Sequence, residues 1–389
     1  STAAITALEQ SSARYFQRPG ATYVDYDTTA TSLSGWGGKF TIGKGAKGHW
    51  KYSAGITMLS PGLELNDLGY MNYADDITQT NEVTYLITQP VSIFNSYDIT
   101  LEQFNSWNFS GNYLGSGGHL AFNSIFKNQW NFSANLIYHS KSLDTRVLRG
   151  GYDMKMPFKV TSFGSLTTDQ AKKVIGQIQY SYEKSGSNSS LAYEIQPRIV
   201  FRPINSLRLS VAANYDGNRD NLQYVDTKAF ATGDRYILGR IDQETLGLTF
   251  RVDLNITPEF SIQYYGSPFI SKGKYSLLKY ITNPRAGSYD NRFQVYNTQN
   301  LPDGSYLLND PLYGSYNIAN PDFNFHEFRS NLVAKWEYRL GSFIYLVWSS
   351  QRSGTTGDPG ASFGKSYKEL RNIFPDNIFL VKLNYWFSL

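Results

Sequence analysis

Apolar and polar residues alternate along most of this chain, in segments of about ten residues. Because successive side chains of a β-strand point to opposite sides, a period of two predicts strands with one apolar and one polar face. About ten residues is also the length that a tilted strand needs to cross a bilayer. We count roughly seventeen such segments, and clear examples begin at Trp50, Trp130, Leu191, Leu207, Leu246 and Leu332.

The C-terminal residues follow the same alternation. Apolar or aromatic side chains stand at every second position, namely Val381, Leu383, Tyr385, Phe387 and Leu389. A chain that stops on this pattern is typical of the closing strand of a bacterial outer-membrane β-barrel. We therefore interpret these residues as a closing-strand signal.

Short and long connections alternate between the predicted strands, and this alternation predicts an orientation. The short connections are residues 202–206, 257–259 and 339–341. The long ones, which are rich in Gly, Asn, Asp, Pro and Tyr, are residues 216–244, 266–325 and 351–377. In outer-membrane barrels the short turns face the periplasm and the long loops face outward. The last strand then runs inward and leaves the C-terminus at the periplasmic side.

Strand direction also predicts the domain organisation. Counted back from the C-terminus, the first convincing strand, residues 35–42, runs inward like the last one. The strand count is then odd, whereas bacterial single-chain barrels normally have an even count. We therefore expect at least one strand before Ser1, an extracellular segment at residues 1–34, and a transmembrane barrel of about 16–20 strands at residues 35–389.

The composition favours the same fold class, an all-β transmembrane antiparallel barrel. Charged residues make up only 17% of the chain, aromatic residues reach 16%, and the mean hydropathy is a polar −0.39. No run of about 18 apolar residues is present, so no transmembrane helix is predicted. In a barrel, lipid-facing and lumen-facing residues alternate, which keeps the hydropathy low, and aromatic residues form girdles at both membrane interfaces.

Charged residues on the predicted strands should point into the lumen. On the lipid side a charge would cost about 2–4 kcal/mol at the bilayer midplane. The lumen-facing candidates are Glu194, Arg198, Arg202, Arg208, Arg251, Asp253, Lys335, Glu337 and Lys382. Because acidic and basic residues are mixed, neutralising pairs between strands are as compatible with the pattern as an ion path is.

Candidates for catalysis are few. The chain has no Cys, which excludes thiolate metal sites and cysteine nucleophiles. Its four His residues are far apart, and none has a second ligand at metal spacing. The adjacent His139 and Ser140 leave a membrane-embedded hydrolase as a weaker alternative. Since the net charge of +4 comes from scattered residues, we expect no nucleic-acid partner. Since Cys is absent and the His residues are far apart, we also expect no metal, no cofactor and no enzymatic activity.

Several long sequence blocks carry a resemblance to a known family. They are residues 10–19, 31–35, 60–71, 324–331 and 336–338. With these blocks the chain resembles a Bacteroidota outer-membrane protein family of unassigned function. In that family an N-terminal carbohydrate-binding-module-like domain of family nine precedes a C-terminal β-barrel. The resemblance implies that this chain is the barrel part, and it brings no catalytic residues.

Two functions are compatible with such a barrel. One is a channel or transport component for small solutes such as glycans or peptides, since a barrel of this size has room for a channel. The alternative is a non-transporting structural or assembly subunit of an outer-membrane protein complex. An open lumen would favour the first, and a filled lumen would favour the second. The expected partners are outer-membrane lipid and lipopolysaccharide, envelope proteins at the long loops, and the barrel-assembly machinery.

Overall fold

The strands of this protein form where apolar and polar residues alternate in the sequence. The computed structural model describes residues 1–45, 47–67 and 69–387. Within them the chain is all-β with a large antiparallel sheet, as predicted, and it has two α-helices, α1 (Thr2–Glu9) and α2 (Phe363–Asn372). Two 3₁₀ turns lie at Gly186–Asn188 and Asp290–Arg292. Neither described α-helix is long and apolar enough to cross a membrane.

The described residues contain 21 strands. The first eleven are β1 (Gly37–Lys44), β2 (Trp50–Leu59), β3 (Asp76–Ile87), β4 (Phe94–Trp107), β5 (Tyr113–Phe126), β6 (Asn131–His139), β7 (Ser142–Asp144), β8 (Met154–Met156), β9 (Lys159–Thr167), β10 (Val174–Ser185) and β11 (Ser190–Ile204). The others are β12 (Leu207–Phe230), β13 (Gly233–Asn255), β14 (Phe260–Ile281), β15 (Phe293–Val295), β16 (Asn297–Asn300), β17 (Tyr306–Asp310), β18 (Gly314–Ile318), β19 (Phe323–Arg339), β20 (Ser342–Thr356) and β21 (Asp376–Asn384).

Sixteen of these strands form the main sheet. Its order is β1-β2-β3-β4-β5-β6-β9-β10-β11-β12-β13-β14-β19-β20-β21, and β15 pairs with β14. Two small sheets, β7-β8 and β16-β17-β18, lie in the connections. Because neighbouring strands are antiparallel, the two edge strands β1 and β21 run in the same direction. Among the described residues these edges do not pair with each other, so the closed barrel predicted from the sequence is not found.

The main sheet has an apolar face and a polar face. Along β11, the apolar side chains of Tyr193, Ile195 and Ile199 are exposed on one side, and Glu194 and Arg198 are half-buried on the other. Residues that pair across strands share a face, so the register extends both faces across the sheet. We call them the apolar face and the polar face. Along β11 the apolar face is more exposed than the polar face. In a sheet packed on a hydrophobic core, the apolar face is instead the buried one.

Three neighbouring strands are much longer than the others. β12, β13 and β14 have 24, 23 and 22 residues, and β12 pairs with β13 as far as Phe230 and Gly233. The long loop predicted at residues 216–244 is therefore wrong. Its Gly, Asn and Asp residues suggested a loop, but the strands continue because Leu222 and Leu238 pack in an apolar cluster with residues of the 140–158 connection.

A second apolar cluster joins these long strands to the connection between β14 and β19. Its buried members are Ile237, Leu278, Tyr280, Tyr296, Leu308 and Ile318. Beside it, the Arg235 guanidinium makes two hydrogen bonds to the Asp310 carboxylate, at 2.8 and 3.1 Å. The rings of Tyr280 and Tyr313 lie 4.8 and 4.7 Å from this guanidinium. This bidentate pair fixes the small sheet β16-β17-β18 to the long strands.

Acidification is expected to loosen the small sheet β16-β17-β18. Burial opposes ionisation of Asp310, but hydrogen bonds and the charge of Arg235 outweigh it and lower the pKa of this carboxyl below its usual 3.8. A carboxyl whose pKa is lowered by folding stabilises the folded state at pH values above its unfolded-state pKa. This stabilisation is lost as the pH falls through the folded-state pKa. Backbone hydrogen exchange at residues 297–318, corrected for the intrinsic effect of pH on exchange, should be slow near neutral pH and should lose its protection below that pKa. At neutral pH, Asp310→Asn should also lose this protection, whereas the exposed Asp303→Asn should keep it.

Residues 1–34 lie across the end of the sheet where the long connections meet. Arg18 pairs with Asp75 at 2.6 Å, and Arg14 pairs with Glu64 at 2.9 Å. On the other side, residues 11–15 line a cleft of about 810 Å³ whose opposite wall includes residues of β12. Since β3 and β12 are seven places apart in the sheet order, the position of this one segment beside both indicates a curled sheet. We use the name cap for residues 1–34, 60–75 and 140–158.

Candidate solute-binding cleft on the polar face

The charged residues predicted to face the lumen all lie on strands of the main sheet. The register aligns eight of them on the polar face: Glu194, Arg198, Arg208, Arg251, Asp253, Lys335, Glu337 and Lys382. The ninth, Arg202, lies beside a β-bulge at the end of β11, and its guanidinium donates a hydrogen bond to the Gln170 carbonyl at 3.2 Å. The polar face therefore brings together residues that are far apart in sequence.

Most of these charges have a local partner. Arg208 pairs with Asp253 on the neighbouring strand at 3.8 Å, and this is one of the neutralising pairs that the mixed charges allowed. The Glu194 carboxylate accepts a hydrogen bond from the Gln196 amide. The Glu337 carboxylate accepts one from the Gly341 backbone N–H at 2.8 Å. Lys335 and Lys382 differ, since their ammonium groups lie over aromatic rings, Phe343 at 4.4 Å and Tyr345 at 5.8 Å.

Arg198 and Arg251 differ from the other arginines of the polar face. Neither guanidinium forms an ion pair with a carboxylate among residues 1–45, 47–67 and 69–387, whereas Arg208 does. Arg251 lies over the ring of Tyr265 at 5.1 Å. Both arginines line a cleft of about 550 Å³, together with the side chains of Gln177, Gln179, Gln196 and Ser267. The described residues that line this cleft include no Asp or Glu.

Small side chains between the two arginines leave the space for this cleft. Arg198 pairs with Ala212, and Ala212 pairs with Thr249, two residues before Arg251 on β13. Strands are about 4.8 Å apart and residues about 3.4 Å apart along a strand, so the two α-carbons are separated by about 12 Å. Arginine side chains are long enough for both guanidinium groups to reach one small ligand across that distance. The short side chain of Ala212 lies between them.

The closing-strand residues divide between β21 and the segment after it. Val381 and Leu383 lie on the apolar face of β21, opposite residues of β20. β21 ends at Asn384, which pairs with Phe343 of β20. Only one residue of β20, Ser342, precedes Phe343, so β20 offers almost no partner for the residues after Asn384. Tyr385 and Phe387 follow the strand with ring centroids 6.1 Å apart, and Arg339 donates a hydrogen bond to the Tyr385 hydroxyl at 2.6 Å. Leu389 lies outside the described residues.

His139 and Ser140 do not form a catalytic pair. They line a cleft of about 340 Å³ beneath the cap, but no hydrogen bond between their side chains is present among the described residues. The Ser140 hydroxyl is instead within 3.1 Å of the Ser116 hydroxyl, and the His139 ring packs 5.3 Å from Phe104. A nucleophile without a bonded base is not activated. Within the described ranges, no group of three His, Cys, Asp or Glu side chains is placed to hold a metal ion.

Sequence reasoning missed the uncharged residues that complete the arginine cleft. Gln177, Gln179 and Ser267 alternate with apolar residues on β10 and β14 in the same way as the charged residues do. That alternation could have identified them, had amides and hydroxyls been included with the charges. Which of them meet in one cleft depends on the pairing of five strands, β10 to β14, and no local pattern encodes it.

Comparison with known proteins gives a family and no function. No curated protein matches the chain. A family model described as "Domain of unknown function (DUF5916)" matches residues 1–388, and the chain therefore belongs to this family.

Proposed function

We propose that this protein is a β-barrel of a bacterial outer membrane whose polar face lines a path for small solutes. The observation that carries the proposal is the exposure of the apolar face. Phe40, Ile199 and Val381, which lie on strands in different parts of the sheet, are 66%, 58% and 71% exposed. Large apolar side chains exposed on strands throughout the sheet are unfavourable in water and favourable against lipid. We propose no catalytic role.

A closed barrel requires more than the strands described. Since β1 and β21 run in the same direction, they cannot pair with each other antiparallel. An odd number of additional strands between these edges would complete an all-antiparallel barrel. In this arrangement the cap faces outward, and the tight turns and residues 385–387 face the periplasm. The barrel-assembly machinery would insert the chain among lipid and lipopolysaccharide.

The polar face supports a solute path in two ways. The face contains a cleft of about 550 Å³ that can admit a small solute. The face also carries arginines, amides and hydroxyls that can contact a hydrated solute as it passes. A path that contains guanidinium groups without an ion-pair partner among the described residues favours polar or charged solutes, such as glycans or peptides, over apolar ones.

The proposal predicts that the purified full-length protein forms conducting channels. In a planar bilayer the wild type should show stable conductance steps, and Arg198→Gln with Arg251→Gln should lower the ratio of chloride to potassium permeability, because both substitutions remove positive charge from the path. A control with Arg219→Gln, on the apolar face, should keep the wild-type ratio. Absence of conductance steps in the wild type, with normal barrel assembly, would contradict a solute path.

A second candidate is a structural or assembly subunit without transport. The cap favours it, because ion pairs of Arg14 and Arg18 hold residues 1–34 to the connection before β3, and the same residues border β12 across a cleft. Detergent extraction under mild conditions discriminates between the two. A subunit should co-purify in fixed ratio with another envelope protein, and it should stay non-conducting even when Asp75→Ala loosens the cap. A transporter should conduct as the isolated protein.

A further inference from the structure

We infer that the cleft around Arg198 and Arg251 is a binding subsite for a small hydroxylated anion, that is, a sugar that carries a carboxylate or phosphate group. The inference deepens the proposed function and rests on it, because solutes reach the cleft only if the polar face lines a path. It concerns the cleft of about 550 Å³ and no other part of the polar face. This volume lies within the range of about 300–1,000 Å³ that is usual for small-molecule sites.

The charge of the cleft selects an anion. Two guanidinium groups line it, its described lining includes no carboxylate, and Arg208 nearby is already paired with Asp253. A guanidinium presents a planar set of N–H donors that matches the two oxygens of a carboxylate or the oxygens of a phosphate. Because Tyr265 holds the Arg251 guanidinium from one side at 5.1 Å, that group is partly ordered before a ligand arrives.

The uncharged lining selects hydroxyl groups. The amides of Gln177, Gln179 and Gln196 each offer donors and an acceptor, which is the combination that sugar hydroxyls use. Asn214 also lines this cleft, and its side-chain oxygen is buried without a hydrogen-bond partner among the described residues. If the amide turns toward the cleft, this oxygen accepts from a ligand hydroxyl, which removes the cost of an unpaired buried acceptor. An inorganic anion alone would leave these groups unused.

The inference is tested by calorimetric titration of the purified full-length protein in detergent. The probes are glucuronate, glucose 6-phosphate, glucose and glucosamine. Wild type should bind the two acidic sugars and bind glucose and glucosamine at least about tenfold more weakly, the factor expected when one charge-assisted contact is lost. The double variant Arg198→Gln/Arg251→Gln should lose this preference. The matched control Lys335→Gln/Lys382→Gln removes the same charge from the polar face outside the cleft and should keep it.

Each outcome decides the inference. Equal binding of glucose and glucuronate by the wild type would overturn it, and so would an unchanged preference in the arginine double variant that shows wild-type heat-modifiable migration. Binding of only one acidic sugar would support the subsite and identify its anionic group. Liposome swelling then separates the two proposals. Binding without permeation would support the subsite and contradict transport, and permeation without any preference would support transport and contradict the subsite.

Discussion

Replacement of Asp75 by alanine is expected to detach residues 1–34 from the end of the sheet. The Asp75 carboxylate accepts hydrogen bonds from Arg18 at 2.6 Å, from the Tyr23 hydroxyl and from the Phe109 backbone N–H at 3.0 Å. The side chains of Arg18 and Asp75 are only 4% and 6% exposed. Without the carboxylate the buried Arg18 has no counter-ion, which costs about 3–5 kcal/mol for a pair of this kind.

The neighbouring tyrosine reinforces this expectation. Burial, together with the hydrogen bond to Asp75, raises the pKa of Tyr23 well above its ordinary value. Its hydroxyl therefore stays protonated and continues to donate, and Asn108 donates to the same hydroxyl at 3.1 Å. Loss of Asp75 removes the acceptor that Arg18, the Tyr23 hydroxyl and the Phe109 backbone N–H share, so the whole contact should open together.

Hydrogen exchange measured by mass spectrometry checks this prediction. Peptides that cover residues 10–26 should lose protection in Asp75→Ala and retain it in Asp67→Ala, a matched change of an exposed acid in the same connection. The double variant Arg18→Met/Asp75→Leu should be less affected than Asp75→Ala, because it removes both buried charges. Wild-type protection in Asp75→Ala would show that other contacts hold the segment.

Substitution of Ile199 by arginine should block assembly of the proposed barrel. Ile199 is 58% exposed on the apolar face in the central part of β11. If that face contacts lipid, an arginine there costs about 2–4 kcal/mol. If it contacts water, an exposed isoleucine can be replaced with an effect of about 0.5 kcal/mol or less. The two environments therefore predict opposite results for one substitution.

Heat-modifiable migration in gel electrophoresis distinguishes these results. Ile199→Arg should give little of the compact, unheated form, whereas Gln196→Arg, which places the same side chain on the polar face of the same strand, should give a wild-type amount. Equal assembly of both variants would remove the main support for a membrane barrel. The pair of variants also tests the assignment of the two faces, because exchanged results would mean that the faces are reversed.

Strands could be predicted from the sequence because their signal is local. A period of two is visible at Trp50, Trp130 and Leu191, and each position begins or adjoins a strand. The ends of strands were less predictable. The alternation continues through Tyr385 and Phe387, but β21 ends at Asn384, where its neighbour offers no further pairing positions. Strand ends depend on the partner, which the local pattern does not contain.

Parts of the candidate site could be predicted as well. Arg198 and Arg251 were identified as polar-face residues by the rule that charge avoids the apolar side. Their difference from Arg208 could not be predicted, because it depends on which carboxylate the register places opposite each arginine. The same holds for the cap, where Arg18 and Asp75 are 57 residues apart in sequence. Contacts of this range follow from the assembled sheet.

If the apolar face spans a membrane as proposed, the length of β12, β13 and β14 determines how far the protein extends from it. With about 3.3 Å per residue and a tilt of about 45°, a strand of this length rises roughly 50 Å, whereas an apolar band is about 25 Å tall. The rest of the three strands would extend beyond the membrane, with the small sheet β16-β17-β18 near their outer ends. Antibodies or neighbouring surface proteins would then contact the aromatic residues of this small sheet, such as Tyr306 and Tyr316, first. Changes there should alter surface recognition and leave the entry of small solutes unaffected.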